Sequence, residues 1–399
     1  MNFFVGRNNS GKSNFFKALK FLKLLIGKGV AESSALVKEL KLKSLKDITN
    51  EEQLRLELEI HAVFRSADDK LKYMDYSLSA VVNGGLQVKS ESLKRRISAR
   101  RGNMAELLDH STIEYEQLPL FSLREEKLPE SDLSGSVLNL ISRISESEGE
   151  AYDSVAKKSK EFGADPYRLA LTMLQDSKRF NEIRTFADYI LRWRFFEIDL
   201  NAIRQPSGGS LSELEESCAN LSPVLFKLQK EQSTKFVSIE RRLKKLFPEI
   251  DRIAVHPTAD GEFYLVVREV GGNRDLPAWL LSDGVLRFLT ILTILETAEQ
   301  YSLVCIDEPE SGIFPGAQEY LGQILKGVSK NSQVFMLTHS PFLLQSYDSP
   351  SAKSIVFIER SKEGGSSFTP FDARKDLQKA LQEQLTWADV MQGNMIGSD

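Results

Sequence analysis

Cysteine is nearly absent: Cys218 and Cys305 are the only two in 399 residues. They lie far apart and show no metal-ligand spacing, which excludes a disulfide framework and a zinc module. Cys305 sits inside an apolar run and reads as a small buried core residue. Histidine is scarce too, with His61, His110, His256 and His339 the full set, so no His-Asn-His constellation is present. No apolar run reaches bilayer length: the most apolar early stretch, residues 15–26, is broken by Lys17, Lys20 and Lys23. Neither sign of charge dominates. The 52 Lys and Arg against 56 Asp and Glu leave a formal charge of −4, which supplies no global drive toward nucleic acid or anionic lipid. A strand pattern follows Met1 directly, so no leader peptide, no membrane partner and a cytoplasmic setting are expected.

What the chain does have begins at Gly6-Arg7-Asn8-Asn9-Ser10-Gly11-Lys12-Ser13. An apolar strand pattern precedes this run and a helical pattern over residues 12–27 follows it. That is the setting a phosphate-binding P-loop requires. Residues 54–61 alternate, with Leu54, Leu56, Leu58 and Ile60 on one face. Residues 73–82 and 86–93 read as two more strands joined through Asn83-Gly84-Gly85, a hairpin signal. Residues 136–247 read as helical, with a break expected at Ser222-Pro223. From residue 252 strands and helices alternate, which implies a mostly parallel sheet. The expected division is therefore 1–135 and 248–399 as two parts of one α/β unit, with a helical insertion over 136–247.

In the P-loop, Gly6 and Gly11 permit the dihedrals that let successive N–H groups curl around phosphate oxygens. The following helix turns its positive end toward the anion. Lys12 is expected at the β- and γ-phosphates and Ser13 on Mg²⁺, with Asn14 completing the run. A second constellation, Asp307-Glu308-Pro309-Glu310, ends the apolar run 303–306. Carboxylates at the C-terminal tip of a parallel strand stand where ligands gather in open α/β sheets. Asp307 is expected to hold Mg²⁺ through water, and Glu308 to act as general base on water. Ser282, with Asp283 and Gly284 behind it, opens a long helix; ordinary N-capping explains Ser282 equally well. His339 either meets a γ-phosphate or hydrogen-bonds at a turn, and Ser340-Pro341 is a helix start.

The order of these words resembles ABC-type ATPases of the RecF/SMC/OLD superfamily, in particular compact bacterial "predicted AAA ATPases" with an OLD-like head and no Toprim nuclease. The matching words are VGRNNSGKSN, LSDGVLRFL, CIDEPESGIFP and LTHSPFLL, with WRFFEIDLNAIRQP and WADVMQGNMIG as weaker ones. The resemblance implies an α/β P-loop head with a parallel and an antiparallel sheet and an inserted helical subdomain. It implies ATP and Mg²⁺ as ligands and a head-to-tail dimer. Ser282, Asp283 and Gly284 of one protomer would then face the nucleotide held by the other, with Ser311 and Gly312 as the D-loop. Three departures stand out. The chain starts on the last of the strands that usually precede the P-loop, Asp283 replaces a glycine of many transporters although the SDG form is usual in this branch, and Gln117 is only a weak match to the Q-loop glutamine.

The resemblance leads to an ATPase that drives or regulates a nucleic-acid-directed process, such as anti-phage defence or DNA repair. Only about sixty residues follow His339, so a nuclease or toxin activity is expected on a separate effector. Alternatives are a nucleotide-dependent scaffold with little turnover and a transporter ATPase. Lys94, Arg95, Arg96, Arg100 and Arg101 form a basic cluster suited to a DNA or RNA backbone, and Arg241, Arg242, Lys244 and Lys245 a second. A solvated, acid-balanced face is the favoured reading of each taken alone.

Overall fold

The computed structural model describes residues 2–7, 10–28, 54–65, 71–82, 86–96, 137–145, 147–165, 167–175, 177–272, 274–328, 333–347, 354–360 and 366–392. Its strands are β1 (Asn2–Val5), β2 (Leu54–Arg65), β3 (Leu71–Val82), β4 (Leu86–Arg96), β5 (Val137–Arg143), β6 (Glu148–Asp153), β7 (Lys158–Gly163) and β8 (Trp193–Phe196). They continue with β9 (Ile250–Pro257), β10 (Phe263–Glu269), β11 (Asp275–Pro277), β12 (Leu303–Asp307), β13 (Gln333–Thr338), β14 (Ile355–Arg360) and β15 (Ser366–Pro370). Two compact units divide the chain: Met1–Phe16 with Arg192–Asp399, and Lys17–Leu191.

The first unit is built on a sheet of order β15-β14-β1-β13-β12-β8. All its pairings are parallel except β14 with β15. The inner strands read NFFV, LVCID and QVFMLT and are buried almost throughout. Continuous apolar runs of this kind mark strands covered on both faces. The helix Asp283–Thr297 is apolar on nearly every side and carries Leu286, Phe288, Leu289, Ile291 and Leu292 into the core. Emptying the site of fully buried Phe288 by alanine costs about 3–5 kcal/mol. A second sheet, β11-β10-β9, is antiparallel. Near the chain's end, Trp387 is buried and its Nε1–H donates to the Tyr347 carbonyl at 2.8 Å, so packing accounts for the start of the WADVMQGNMIG word. Residues 393–397 of that word lie outside the described residues.

The second unit holds an antiparallel sheet of order β2-β3-β4-β5-β6-β7. β2 and β3 pair from Leu54↔Val82 to Arg65↔Leu71, and β3 meets β4 through Val82↔Leu86, as the alternation predicts. The turn Asn83-Gly84-Gly85 itself lies outside the described residues. Beneath the sheet, the helix Ala170–Leu174 has no cap of its own. Glu91 on β4 supplies one: its carboxylate accepts the N–H groups of Ala170 (2.5 Å) and Leu171 (3.0 Å) and the Tyr76 hydroxyl (3.1 Å). Burial pushes the Glu91 carboxyl up from its ordinary value, against the pull of these donors and of Arg143.

Two expectations change. Within the stretch 136–247 read as helical, β5, β6 and β7 are strands. The buried positions of β6 are Gly149, Ala151 and Asp153, small or polar residues that give no apolar alternation to read. Residues 192–247, also placed in the insertion, belong to the first unit: β8 joins the sheet beside β12, and the helices Leu221–Lys230 and Thr234–Leu246 feed its core. The break falls at residues 231–233 rather than at Pro223, which sits in the first helical turn where no N–H is missed.

Candidate functional site

β1 delivers the chain into the P-loop between β13 and β14. A Cβ on Gly6 would stand 2.3 Å from the Ile358 carbonyl oxygen and 2.6 Å from Ser10 Oγ, so only glycine fits there. Gly11 has φ 95°, and a Cβ on it would reach 2.0 Å from Ser366 Oγ. Ser366 on β15 donates to the Ser10 carbonyl at 2.7 Å, tying the loop to the sheet edge. The Ser10 hydroxyl is buried and has no hydrogen-bond partner among the described residues. Lys12 opens the helix Lys12–Lys28. Its ammonium is folded back onto the carbonyls of Gly6 (2.5 Å) and Arg7 (2.7 Å). Asn8 and Asn9 lie outside the described residues; Ser13 and Asn14 are exposed on the helix start.

Ser13 Oγ donates to Asp307 Oδ2 at 3.4 Å, joining the end of the P-loop to the tip of β12. Burial lowers the Lys12 ammonium from its ordinary value, against the pull of Glu308, Asp307 and Glu310. Burial, then Glu308 beside it, pushes the Asp307 carboxyl up. Asp307, Glu308 and Glu310 all act on Lys12, and a divalent cation beside Asp307 would offset the repulsion between Asp307 and Glu308. Among the described residues no three His, Cys, Asp or Glu side chains converge to hold a metal. An ion at Ser13 and Asp307 therefore needs phosphate and water oxygens to complete its shell, the usual Mg²⁺ arrangement. The donor set fits a Mg²⁺–triphosphate.

Glu308 occupies the left-handed region, φ 45°, although it precedes Pro309. Its N–H donates to the Leu337 carbonyl (3.0 Å), and Ser311 donates to its carboxylate (3.3 Å). Strain of this kind costs of order 1–3 kcal/mol and persists where the surroundings enforce it. The half-exposed His339 ring directs Nδ1 toward Glu310 Oε1 at 3.3 Å and Glu308 Oε1 at 3.7 Å. Glu310 is a residue to which the motifs alone assign no role. It is buried; Oε1 accepts Thr338 Oγ1–H (2.7 Å) and the His339 N–H (2.9 Å), while Oε2 has no partner among the described residues. Glu310 stands two residues beyond Glu308 in DEPE, but no spacing in the sequence links it to Thr338 or His339. Gln318 backs this turn, donating to the Ile313 carbonyl at 2.6 Å and accepting from Ser340 Oγ.

Ser282 caps the helix Asp283–Thr297 by accepting the Val285 N–H at 3.4 Å. Ser282 and Asp283 are exposed. Gly284 lies against Gly312: a Cβ on it would be 3.2 Å from the Gly312 carbonyl oxygen, and Gly312 itself has φ 72°. The signature turn and the Ser311-Gly312 turn therefore touch within one chain. Arg287, one turn into the helix, is lowered by burial and pulled the other way by Asp283, Glu308 and Glu310; the motifs do not single it out either.

Of the first basic cluster, the structure describes the side chains of Lys94 and Arg95. Lys94 and Arg95 are neighbours on β4 and so point to opposite faces. Arg95 is part-buried and paired with Glu182 at 2.9 Å. Nothing is described of the Arg96 side chain, and Arg100, Arg101 and Gln117 lie outside the described residues. In the second cluster Arg242 pairs with Glu296 at 3.1 Å and Lys245 lies over Tyr320. Among the described residues no helix is long and apolar enough to cross a membrane.

The family described as "AAA domain, putative AbiEii toxin, Type IV TA system" matches residues 1–78 and 121–345. No curated protein matches significantly. Among solved structures, an SMC head bound to the C-winged helix domain of ScpA aligns at 11% identity over 94% of this chain and 91% of that one, TM-score 0.44. The SMC head from Pyrococcus furiosus with an extended coiled coil, bound to the C-terminal domain of ScpA, aligns at 11% identity over 96% and 92%, TM-score 0.42. The Thermotoga maritima SMC head aligns at 13% over 92% and 89%, TM-score 0.36.

Proposed function

Because the chain belongs to this AAA-domain family, we propose that it binds and hydrolyses ATP with Mg²⁺, and that two copies close head-to-tail around the nucleotide. The observation that carries this reading is the 3.4 Å approach of Ser13 to Asp307, with Glu308 next in sequence. In this reading Gly6, Arg7, Asn8, Asn9, Ser10, Gly11 and Asn14 wrap the phosphates with backbone and side-chain donors. Lys12 exchanges the carbonyls of Gly6 and Arg7 for phosphate oxygens. Ser13 and Asp307 hold Mg²⁺, which supplies charge neutralisation at the transferred phosphoryl group. Glu308 takes the proton of the attacking water, and His339 senses the γ-phosphate. Ser282, Asp283 and Gly284 act in trans, with Ser311 and Gly312 between the protomers. A γ-phosphate offers charge to two helix N-termini at once, which is why ADP is insufficient.

The process served is, in this reading, a nucleic-acid-directed one run with a separate nuclease or toxin, in anti-phage defence or DNA repair. Phosphate release by wild type, Lys12→Ala and Glu308→Gln tests the chemistry. Lys12→Ala should lose ATP binding. Glu308→Gln should keep binding and turn over about 10²–10⁴-fold more slowly. Comparable rates in wild type and Glu308→Gln would leave a nucleotide-dependent scaffold as the better account.

A further inference from the structure

The word WRFFEIDLNAIRQP contributes no group to the proposed chemistry, yet it connects two pieces of the site. Its first residues form β8, which pairs with the Asp307-bearing strand β12 through Phe196↔Ile306. Asp199 then turns the chain: its carboxylate accepts the N–H groups of Asn201 (2.9 Å) and Ala202 (3.2 Å) and starts the short helix Leu200–Ile203. Arg204 ends that helix, its N–H donating to the Leu200 carbonyl at 3.1 Å. Its guanidinium then reaches the signature turn. Nη1 donates to the carbonyls of Ala278 (3.0 Å) and Leu281 (2.7 Å), and Nη2 to the Asp283 carboxylate.

We propose that Arg204 is a positioning residue for the signature turn: it grips the residues on both sides of Ser282 and holds that hydroxyl in the pose offered to the other protomer's nucleotide. This rests on the composite-site reading above. The geometry is more than an ion pair. Asp283 is mostly exposed, and an exposed pair alone contributes little to stability. The fork of a guanidinium adds two backbone carbonyls and so fixes a loop conformation, which a lysine's single point of charge does not reproduce. The Asp283 carboxylate completes the grip and also suits the helix's first turn. Arg204 touches neither nucleotide nor reacting atoms, so its effect on turnover passes through Ser282 of its own chain to the site of its neighbour.

The test mixes variants of the full-length protein. Arg204→Ala alone should bind a fluorescent ATP analogue with wild-type affinity, because Lys12 is untouched, and turn over at least about tenfold more slowly, since small misplacements at a site are costly. Mixed with Lys12→Ala it should recover turnover that neither shows alone, because one of the two composite sites then has Lys12 and an intact signature turn. Ser282→Arg mixed with Lys12→Ala is the control. If that control recovers activity while Arg204→Ala alone turns over like wild type, the proposal is overturned and the composite site stands. If the control recovers and the Arg204→Ala mixture does not, Arg204 acts on its own site and the proposal is again overturned. If the control fails, the composite site itself fails, and the proposal with it. Should Arg204→Ala not fold, Arg204→Lys takes its place: wild-type turnover by that variant overturns the proposal, and slow turnover with unchanged analogue affinity supports it.

Discussion

Glu310 Oε1 accepts the main-chain N–H of His339 at 2.9 Å and lies 3.3 Å from the Nδ1 of the same residue. One buried carboxylate oxygen therefore fixes both the backbone and the ring of the histidine that ends β13. Nε2, on the far edge of the ring, is turned away from Glu310, and Glu308 approaches the same Nδ1 edge at 3.7 Å.

Replacing Glu310 by alanine should slow turnover and lower stability by about 1–3 kcal/mol, because Thr338 and the His339 N–H lose their acceptor in a buried place. If Glu310 works through His339, Glu310→Ala with His339→Ala should be no slower than His339→Ala alone. Additive losses in steady-state turnover would show that Glu310 acts independently.

Gly312 is held at φ 72°, and its carbonyl oxygen would stand 3.2 Å from a Cβ added to Gly284. Gly312→Val should be strained by about 1–2 kcal/mol, and Gly284→Val should push the signature turn away from the Ser311-Gly312 turn. Both variants are expected to retain ATP-analogue binding and lose most ATP-dependent association, measured by light scattering.

Glu91 tests the second unit on its own. Glu91→Gln should destabilise the protein by about 1–3 kcal/mol, since the amide that replaces one oxygen faces the N–H donors of Ala170 and Leu171. ATP turnover per folded molecule should not change. A melting temperature equal to wild type would show that the carboxylate does not cap the helix Ala170–Leu174.

The candidate site was legible in the sequence because its motifs are local. The P-loop, the strand tip at Asp307 and the turn at Ser282 each lie within a few consecutive residues. β2 and β3 were legible through alternation, and β12 and β13 through apolar runs. β7 was not, because KSKEFG lies largely exposed and carries almost no apolar residue. β8 was hidden by brevity: its four residues follow the helix Asn181–Leu191 without a turn signal. Arg204 and Glu310 escaped for a different reason. Their partners, Leu281 and His339, are distant in sequence, and no spacing rule links them.

A nucleotide held between two copies of this chain is tested by the mass of Glu308→Gln in solution. Without nucleotide, and with ADP and Mg²⁺, the variant should run as a monomer. With ATP and Mg²⁺ it should double in mass, and adding Ser282→Arg should return it to a monomer while ATP remains bound. A Glu308→Gln protein that binds ATP and keeps the same mass in every condition would contradict the account.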